Sequence, residues 1–186
     1  MLRSLSLIAA FAAVSFSFAA ADTFKPEAGF VALFNSSDLS GWKVAATKDK
    51  DKSGEALDGK KETSTKRFVL TDGVLAIDSK VKGDITIFTA KTFDKDAHIK
   101  FDFKPGKGCN NDIYFRGLKF DLKAADIANM KEGEWNAFEI VVAGDMAEFK
   151  NNGESIKKLK ANPGATKFGI RAEAGPCEYR HFQIKN

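Results

Sequence analysis

The chain has 186 residues, of which 44% are hydrophobic and 29% charged. This composition is typical of a folded domain and excludes both a disordered chain and a bundle of membrane helices. The 29 Lys and Arg nearly balance the 25 Asp and Glu, so the formal charge of +4 gives no reason to expect nucleic acid as a partner.

The N-terminal segment, residues 1–21, has the features of a secretory signal peptide. Arg3 supplies a positive charge, an apolar run with scattered serines extends from Leu5 to Ala21, and Ala19-Ala20-Ala21 offers the small residues that a signal peptidase requires. A membrane anchor is disfavoured because the run is at the short limit for a bilayer and no charged flank follows it. We therefore predict an exported protein, periplasmic or extracellular, without stable membrane insertion, whose residues 22–186 form a single domain.

Beyond residue 29 the sequence breaks into short runs in which apolar and polar residues alternate. The runs are Phe30–Phe34, Phe68–Leu70, Val74–Ile77, Ile85–Phe88, Ala97–Phe103, Asp112–Phe120, Phe138–Val142, Phe168–Ala172 and Glu178–Ile184. Turn residues separate them, and Asp72-Gly73 and Asn152-Gly153 are typical of tight hairpins. About ten such strands predict an all-β, antiparallel two-sheet sandwich with little helix, in which residues 122–130 are the one helical candidate.

Residues 43–67 differ from these runs because they are rich in charge and contain no apolar stretch. A solvated surface loop is the expected structure, with a partner-binding arm as the alternative.

The two cysteines, Cys109 and Cys177, have two interpretations. In an oxidising compartment they can form a disulfide that closes a long loop. Two buried free thiols account for the sequence equally well. No Cys/His cluster with the spacing of zinc ligands is present, so a zinc site is not expected.

Several motifs, in chain order, resemble one family. The first is GFVALFNSSDLSGW at residues 29–42, followed by Asp72-Gly73-Val74-Leu75, by NNDIYFRG at residues 110–117, which resembles the pattern NSGIFFRG, by Glu134-Trp135-Asn136 and by the closing run Glu178–Ile184. Together they are similar to the 3-keto-disaccharide hydrolase domain family, also described as 3-keto-glucoside 1,2-lyase and 3-keto-2-hydroxy-glucal hydratase. The resemblance implies a concanavalin- or laminin-G-like jelly roll whose concave sheet holds a carbohydrate site.

The resemblance and the strand alternation together give candidate site residues. An enzyme of this kind needs a base for the proton at C2, a positive group for the developing enolate and a proton donor for the leaving oxygen. The catalytic candidates are the acids and arginines of the polar row: Asp121, Glu173, Arg116 and Arg171. Substrate binding is expected from four polar side chains: Tyr114, Asn111, Lys123 and His181. Either acid is a candidate base, either arginine can carry the enolate charge, and Tyr114 or His181 is the candidate donor.

The expected partner is an oxidised disaccharide or another 3-keto-glycoside. No cofactor is firmly implied, and a divalent metal remains possible. The chain also departs from the family pattern, which has Gln where Arg171 stands and Asn where His181 stands. Two alternatives therefore stay open: the polar row can be an ion-pair ladder between strands, and the protein can be a non-catalytic carbohydrate-binding or scaffold β-sandwich.

Overall fold

The computed structural model describes residues 24–45, 54–93 and 96–186, so the predicted signal peptide lies outside the described residues. Thirteen β-strands are present in these ranges, and no helix among them has the length and apolar character needed to cross a membrane. The strands are β1 Val31–Ala32, β2 Trp42–Val44, β3 Phe68–Thr71, β4 Val74–Ile77, β5 Ile85–Thr89, β6 Ala97–Pro105, β7 Asn110–Phe115, β8 Leu118–Leu122, β9 Asn136–Ala143, β10 Met146–Asn151, β11 Glu154–Lys160, β12 Gly169–Ala174 and β13 Cys177–Lys185. The helical candidate, residues 122–130, forms no helix: Leu122 ends β8, and bends and turns follow it.

The strands form two antiparallel sheets, which confirms the predicted sandwich. The eight-stranded sheet has the order β11-β10-β9-β6-β13-β4-β3, and β1 pairs with the C-terminal part of β13. The five-stranded sheet has the order β2-β5-β12-β7-β8. Non-consecutive neighbours such as β6 and β13 show that the chain crosses repeatedly between the sheets, as in a jelly roll.

Large aromatic side chains fill the space between the sheets. The rings of Phe120 and Phe138, one from each sheet, lie 5.4 Å apart, and those of Phe101 and Phe168 lie 6.2 Å apart. Trp42 is fully buried and donates from Nε1 to the Leu33 carbonyl at 2.7 Å. The high phenylalanine content of the sequence is therefore explained by a core whose two layers interdigitate.

The run predicted as one strand, Asp112–Phe120, is a hairpin. Arg116 and Gly117, with φ of 51° and 72°, form the turn between β7 and β8. Arginine is unusual in this left-handed conformation, so Gly117 is the one residue of the pair that is typical of a turn. As a result Arg116 belongs to a loop and does not lie in the polar row of a strand.

The last strand, β13, contains a bulge. Its pairing with β6 shifts between Arg180 and Gln183, and His181 adopts a φ of 59°. Tyr179 and Phe182 are consequently both buried, although strict alternation would place them on opposite faces.

The charged segment 43–67 is only partly a surface loop. Lys43 and Val44 belong to β2, residues 46–53 lie outside the described residues, and Leu57 is fully buried. Arg67 is also buried, and its guanidinium donates to the carbonyls of Asp78, Val81 and Glu173. These bonds tie the end of the segment to the connection between β4 and β5 and, through Glu173, to β12 of the five-stranded sheet.

Candidate functional site

The outer face of the five-stranded sheet carries a continuous group of ionic side chains. Alternation along β7, β8 and β12 directs their apolar residues into the core and their polar residues outward. We call this group the Asp112 cluster, and its members are Asp84, Asp112, Tyr114, Lys119, Asp121, Lys123, Asp126, Arg171 and Glu173. It extends across β12, β7 and β8, because Asp112 of β7 is the cross-strand partner of Arg171 on one side and of Asp121 on the other.

Arg171 joins three carboxylates. Its Nη1 lies 2.8 Å from Asp112 Oδ2 and 3.1 Å from Glu173 Oε2, and its Nη2 lies 2.5 Å from Asp84 Oδ2. The Arg171 side chain is one quarter exposed, whereas that of Asp112 is completely buried. The hydrogen bonds that Arg171 donates to Asp84 and Asp112 raise the pKa of Arg171, so its charge is permanent.

Asp112 and Asp121 form a carboxyl pair. Burial, and then the hydrogen bond to Asp121, raise the pKa of Asp112, while the same bond, followed by that from Lys119, holds the pKa of Asp121 well below its usual range. The two pKa values are shifted in opposite directions, so Asp112 binds a proton more readily than Asp121 does.

Two lysines neutralise this pair from the solvent side. Lys119 Nζ lies 2.7 Å from Asp121 Oδ1 and 3.3 Å from Asp112 Oδ1, and Lys123 Nζ lies 3.2 Å from both Asp121 Oδ2 and Asp126 Oδ2. The acid partners raise the pKa of both lysines. The cluster therefore presents positive side chains to solvent above a buried acid.

Tyr114 adds a phenol to the cluster. Its hydroxyl donates to Asp112 Oδ2 at 3.2 Å. Burial, and then the negative charge of Asp112, raise the pKa of Tyr114, which keeps the hydroxyl protonated at neutral pH. A protonated phenol beside Arg171 is a suitable donor to a substrate oxygen.

A bulge in β12 positions Glu173. The pairing of β12 with β7 shifts between Arg171 and Ala174, and the buried side chain of Asn111 accepts a hydrogen bond from the Glu173 backbone N–H at 2.9 Å. Asn111 also donates from Nδ2 to Cys109 Sγ at 3.4 Å. Asn111 thus supports the strand from the core side, and it does not face the cluster as the sequence had indicated.

Five of the eight predicted site residues come together and three do not. The five that meet are Asp121, Glu173, Arg171, Tyr114 and Lys123. Of the others, Asn111 faces the core, and the guanidinium Nε of Arg116 donates to the Asn162 carbonyl at 2.9 Å, away from the carboxylates. His181 lies on the eight-stranded sheet, where its Nδ1 is 3.0 Å from Asp102 Oδ2 and its ring stacks on Phe24. The assigned roles of the five remain predictions.

Asp112 is the residue that the sequence interpretation missed. It stands where the pattern NSGIFFRG has Gly, so this departure inside an otherwise matching strand was the available signal. Its importance depends on Arg171, Lys119 and Asp121, which reach it from two other strands. That arrangement becomes apparent only once the sheet order is known.

The two cysteines are buried neighbours with free thiols. Cys109 directly precedes β7 of the five-stranded sheet, and Cys177 is the first residue of β13 of the eight-stranded sheet. The pair therefore links the two sheets. The hydrogen bond from Cys177 lowers the pKa of Cys109, and burial raises that of Cys177. Among residues 24–45, 54–93 and 96–186, no three His, Cys, Asp or Glu side chains are arranged to hold a metal ion.

The two antiparallel sheets define a jelly-roll β-sandwich. A family model described as the 3-keto-alpha-glucoside-1,2-lyase-like domain matches residues 29–127. The chain belongs to this family. The matched range includes Asp112, Tyr114, Lys119 and Asp121, whereas Arg171 and Glu173 lie beyond it.

Solved structures support the same fold. Two candidate glycosyl hydrolases from Parabacteroides distasonis ATCC 8503 are similar. The first has a TM-score of 0.63 at 18% sequence identity, and the match covers 85% of this chain and 94% of the hydrolase. The second has a TM-score of 0.60 at 15% identity, and the match covers 84% of this chain and 98% of the hydrolase. A carbohydrate-binding module, CBM66 from Bacillus subtilis, has a TM-score of 0.50 at 10% identity over 79% of this chain and 96% of its own. At these identities the likeness concerns the fold. No curated protein matches the chain.

Proposed function

We propose that this protein is an exported enzyme that cleaves or hydrates 3-keto-glycosides by removing the proton next to the keto group. Family membership supports a carbohydrate-active role. The observation that carries the proposal is the placement of Arg171 between Glu173, at 3.1 Å, and the Asp112 carboxyl, at 2.8 Å, beside the protonated Tyr114.

The chemistry requires three groups, and the cluster contains one of each. A keto group at C3 acidifies the hydrogen at C2, so a base removes this proton, the electron pair moves to the C3 oxygen as an enolate, and the C1–O bond then breaks by elimination. Arg171 carries the developing enolate charge, because its positive charge is permanent and its side chain is partly exposed. Tyr114 donates its proton to the departing oxygen.

The base is Glu173. Asp121 was the alternative, but its depressed pKa makes it a weak base, and Lys119 and Lys123 already occupy its oxygens. Glu173 is about one-third exposed and contacts the solvent-facing guanidinium of Arg171. A hydratase step uses the same groups in reverse, with water adding to the double bond.

A non-catalytic carbohydrate-binding or scaffold sandwich is the second candidate. The observation that favours it is that Arg171 already contacts the three carboxylates of Asp84, Asp112 and Glu173. With its charge neutralised in this way, the guanidinium of Arg171 has a structural role: it holds the strands of the sheet together and keeps polar side chains in place to bind sugar hydroxyls.

Turnover of a 3-keto-glucoside by the purified protein, with and without divalent metal, separates the two candidates. The enzyme releases the free alcohol together with a 2-hydroxy-glucal ketone or its hydrated sugar. Mass spectrometry and NMR detect these products. Saturable binding of oligosaccharides without alcohol release would reject the enzyme and support the binding module.

A further inference from the structure

A cavity of about 820 Å³ lies at the end of the five-stranded sheet where β7 turns into β8, and Tyr114 of the Asp112 cluster is part of its lining. Its wall is mostly apolar, formed by Val44 of β2, Phe88 of β5, Phe115 of β7 and Leu118 of β8. The proposed chemistry at Arg171 and Glu173 makes no use of this cavity. Its volume is within the range of small-molecule sites.

Tyr114 connects the cavity to the cluster. Its hydroxyl donates to Asp112, while its ring lines the cavity and lies 6.0 Å from the ring of Phe88 at an interplanar angle of 48°. A group bonded to the oxygen that receives the Tyr114 proton is therefore directed along the Tyr114 ring into the cavity.

Gly169 shapes the floor of this aromatic pair. It is the cross-strand partner of both Phe88 and Tyr114, and a Cβ at position 169 would lie 2.3 Å from Phe88 Cε1. The Phe88 ring thus lies across the glycine, in space that any side chain there would occupy. The aromatic platform depends on this glycine.

We propose that the cavity binds the leaving group of the substrate, and that the preferred leaving group is a flat apolar aglycone such as a phenol, instead of a second sugar. This rests on the proposed function for the orientation of the glycoside. A phenyl ring gains burial against Phe88, Tyr114 and Leu118. A sugar there would place hydroxyl groups against an apolar wall without partners.

Polar groups near the cavity do not reverse this preference. Arg116 Nε is directed to the Asn162 carbonyl at 2.9 Å, and Thr166 Oγ1 accepts the Arg116 backbone N–H at 3.0 Å. The lysines that border the cavity, Lys43 and Lys167, are exposed side chains at its rim. Ala45 and Gly54, which also border it, flank residues 46–53, which lie outside the described residues.

Binding of unreactive glucosides tests the proposal separately from turnover. Calorimetry compares phenyl β-glucoside, methyl β-glucoside and cellobiose, none of which carries a keto group. We expect the phenyl compound to bind about tenfold more tightly than either of the others, as the burial of one ring allows.

Two variants locate the effect. Phe88→Ala removes half of the platform, and Gly169→Ala displaces the Phe88 ring without removing it, so both should reduce the phenyl preference to about twofold or less. Phe30→Ala is the matched control, because Phe30 is a partly exposed phenylalanine outside the cavity lining, with its ring 5.2 Å from His98 of the eight-stranded sheet. It should keep the tenfold preference.

Equal binding of the phenyl and methyl compounds, tighter binding of cellobiose, or a phenyl preference that survives in Phe88→Ala would each overturn the proposal. Turnover of a methyl 3-keto-glucoside together with equal binding would retain the proposed function and reject the aglycone site. A phenyl preference without any turnover would support the site and reject the enzyme.

Discussion

The outer faces of the two sheets carry similar charged residues but organise them differently. On the eight-stranded sheet the ions form small contacts among partly exposed side chains, such as Lys100 with Glu27 at 2.8 Å and His98 with Glu139 at 2.6 Å. On the five-stranded sheet the contacts converge on Asp112, whose side chain is completely buried.

This difference shows what distinguishes a candidate site from a solvated ladder. Exposed pairs are worth little energetically and can be exchanged freely. A buried carboxyl shared by Arg171, Tyr114 and Asp121 changes the proton affinity of its neighbours, which is the property that acid–base chemistry needs. Charge composition alone does not separate the two faces; the burial of one member does.

The link between the two sheets gives the largest expected effect. Cys109 and Cys177 are neighbouring thiols at the sheet junction, and oxidation by glutathione disulfide would bridge them, with two electrons and two protons passing to glutathione. Because the bridge closes a long loop, we expect the oxidised protein to be more stable by about 4 kcal/mol. Urea unfolding before and after mild oxidation, with thiol titration and Cys177→Ser as the control, measures this. Equal midpoints in fully oxidised and reduced protein would contradict it.

Removing the shared cation of the Asp112 cluster should have the next largest effect. Arg171→Gln installs the residue of the family pattern and deletes the charge that we propose stabilises the enolate, so kcat/KM for a 3-keto-glucoside should fall about 100-fold. Arg180→Gln is the matched control: Arg180 contacts Asp102 at 3.1 Å on the other sheet, and its loss should leave kcat/KM within about twofold. Similar losses in both variants would mean that the two faces do not differ in function.

The carboxyl pair gives a pH-dependent prediction. The pKa of Asp121 is lowered from its ordinary value of 3.8. Its carboxylate therefore stabilises the folded state above pH 3.8, and this stabilisation is lost as the pH falls through the pKa of Asp121 in the folded protein. The raised pKa of Asp112 has the opposite sign: its stabilising form is the protonated one, lost as pH rises through the folded value.

Asp121→Asn separates these contributions. The substitution removes the carboxylate that accepts the Asp112 proton, so the pKa of Asp112 should fall, and the loss of stability in acid should become smaller. Carboxyl NMR titration and urea unfolding between about pH 2 and pH 7 follow both quantities. An unchanged Asp112 titration would show that burial alone sets its pKa. Asp126→Asn, which removes an exposed contact of Lys123, is the control.

The smallest effect is expected at His181. Its φ of 59° is a conformation that Asn adopts readily, and the residue lies on the sheet opposite the cluster. His181→Asn should leave kcat/KM unchanged and alter the free energy of unfolding by only about 0.5 kcal/mol. A large decrease in kcat with an unchanged melting temperature would move the active site to the other sheet.

The sequence predicted the parts of the fold that depend on local signals. The hairpins at Asp72-Gly73 and Asn152-Gly153 have the residues that positive φ demands, and the structure contains both. The turn at Arg116 has Arg where the other two hairpins have Asp or Asn, and no residue type signals the bulge before Gln183. For these reasons the sequence placed Arg116 on a strand and His181 beside the candidate site, whereas the structure places Arg116 in a turn and His181 on the other sheet.

The candidate site was predictable only in part, because its centre is defined by strand order. Arg171 and Asp121 follow from alternation within their own strands. Their meeting at Asp112 requires β7 to lie between β12 and β8, a non-local arrangement that no short motif encodes.

The outermost strand of the larger sheet, β11, affects whether two copies of the protein can associate through their sheet edges. In the described part of the chain it pairs only with β10, and its exposed side chains include Lys157, Lys158 and Lys160. Like charges along an open strand repel an incoming copy before backbone hydrogen bonds can form. The sheet therefore ends in water, and growth into fibrils by addition of further chains is disfavoured from this side.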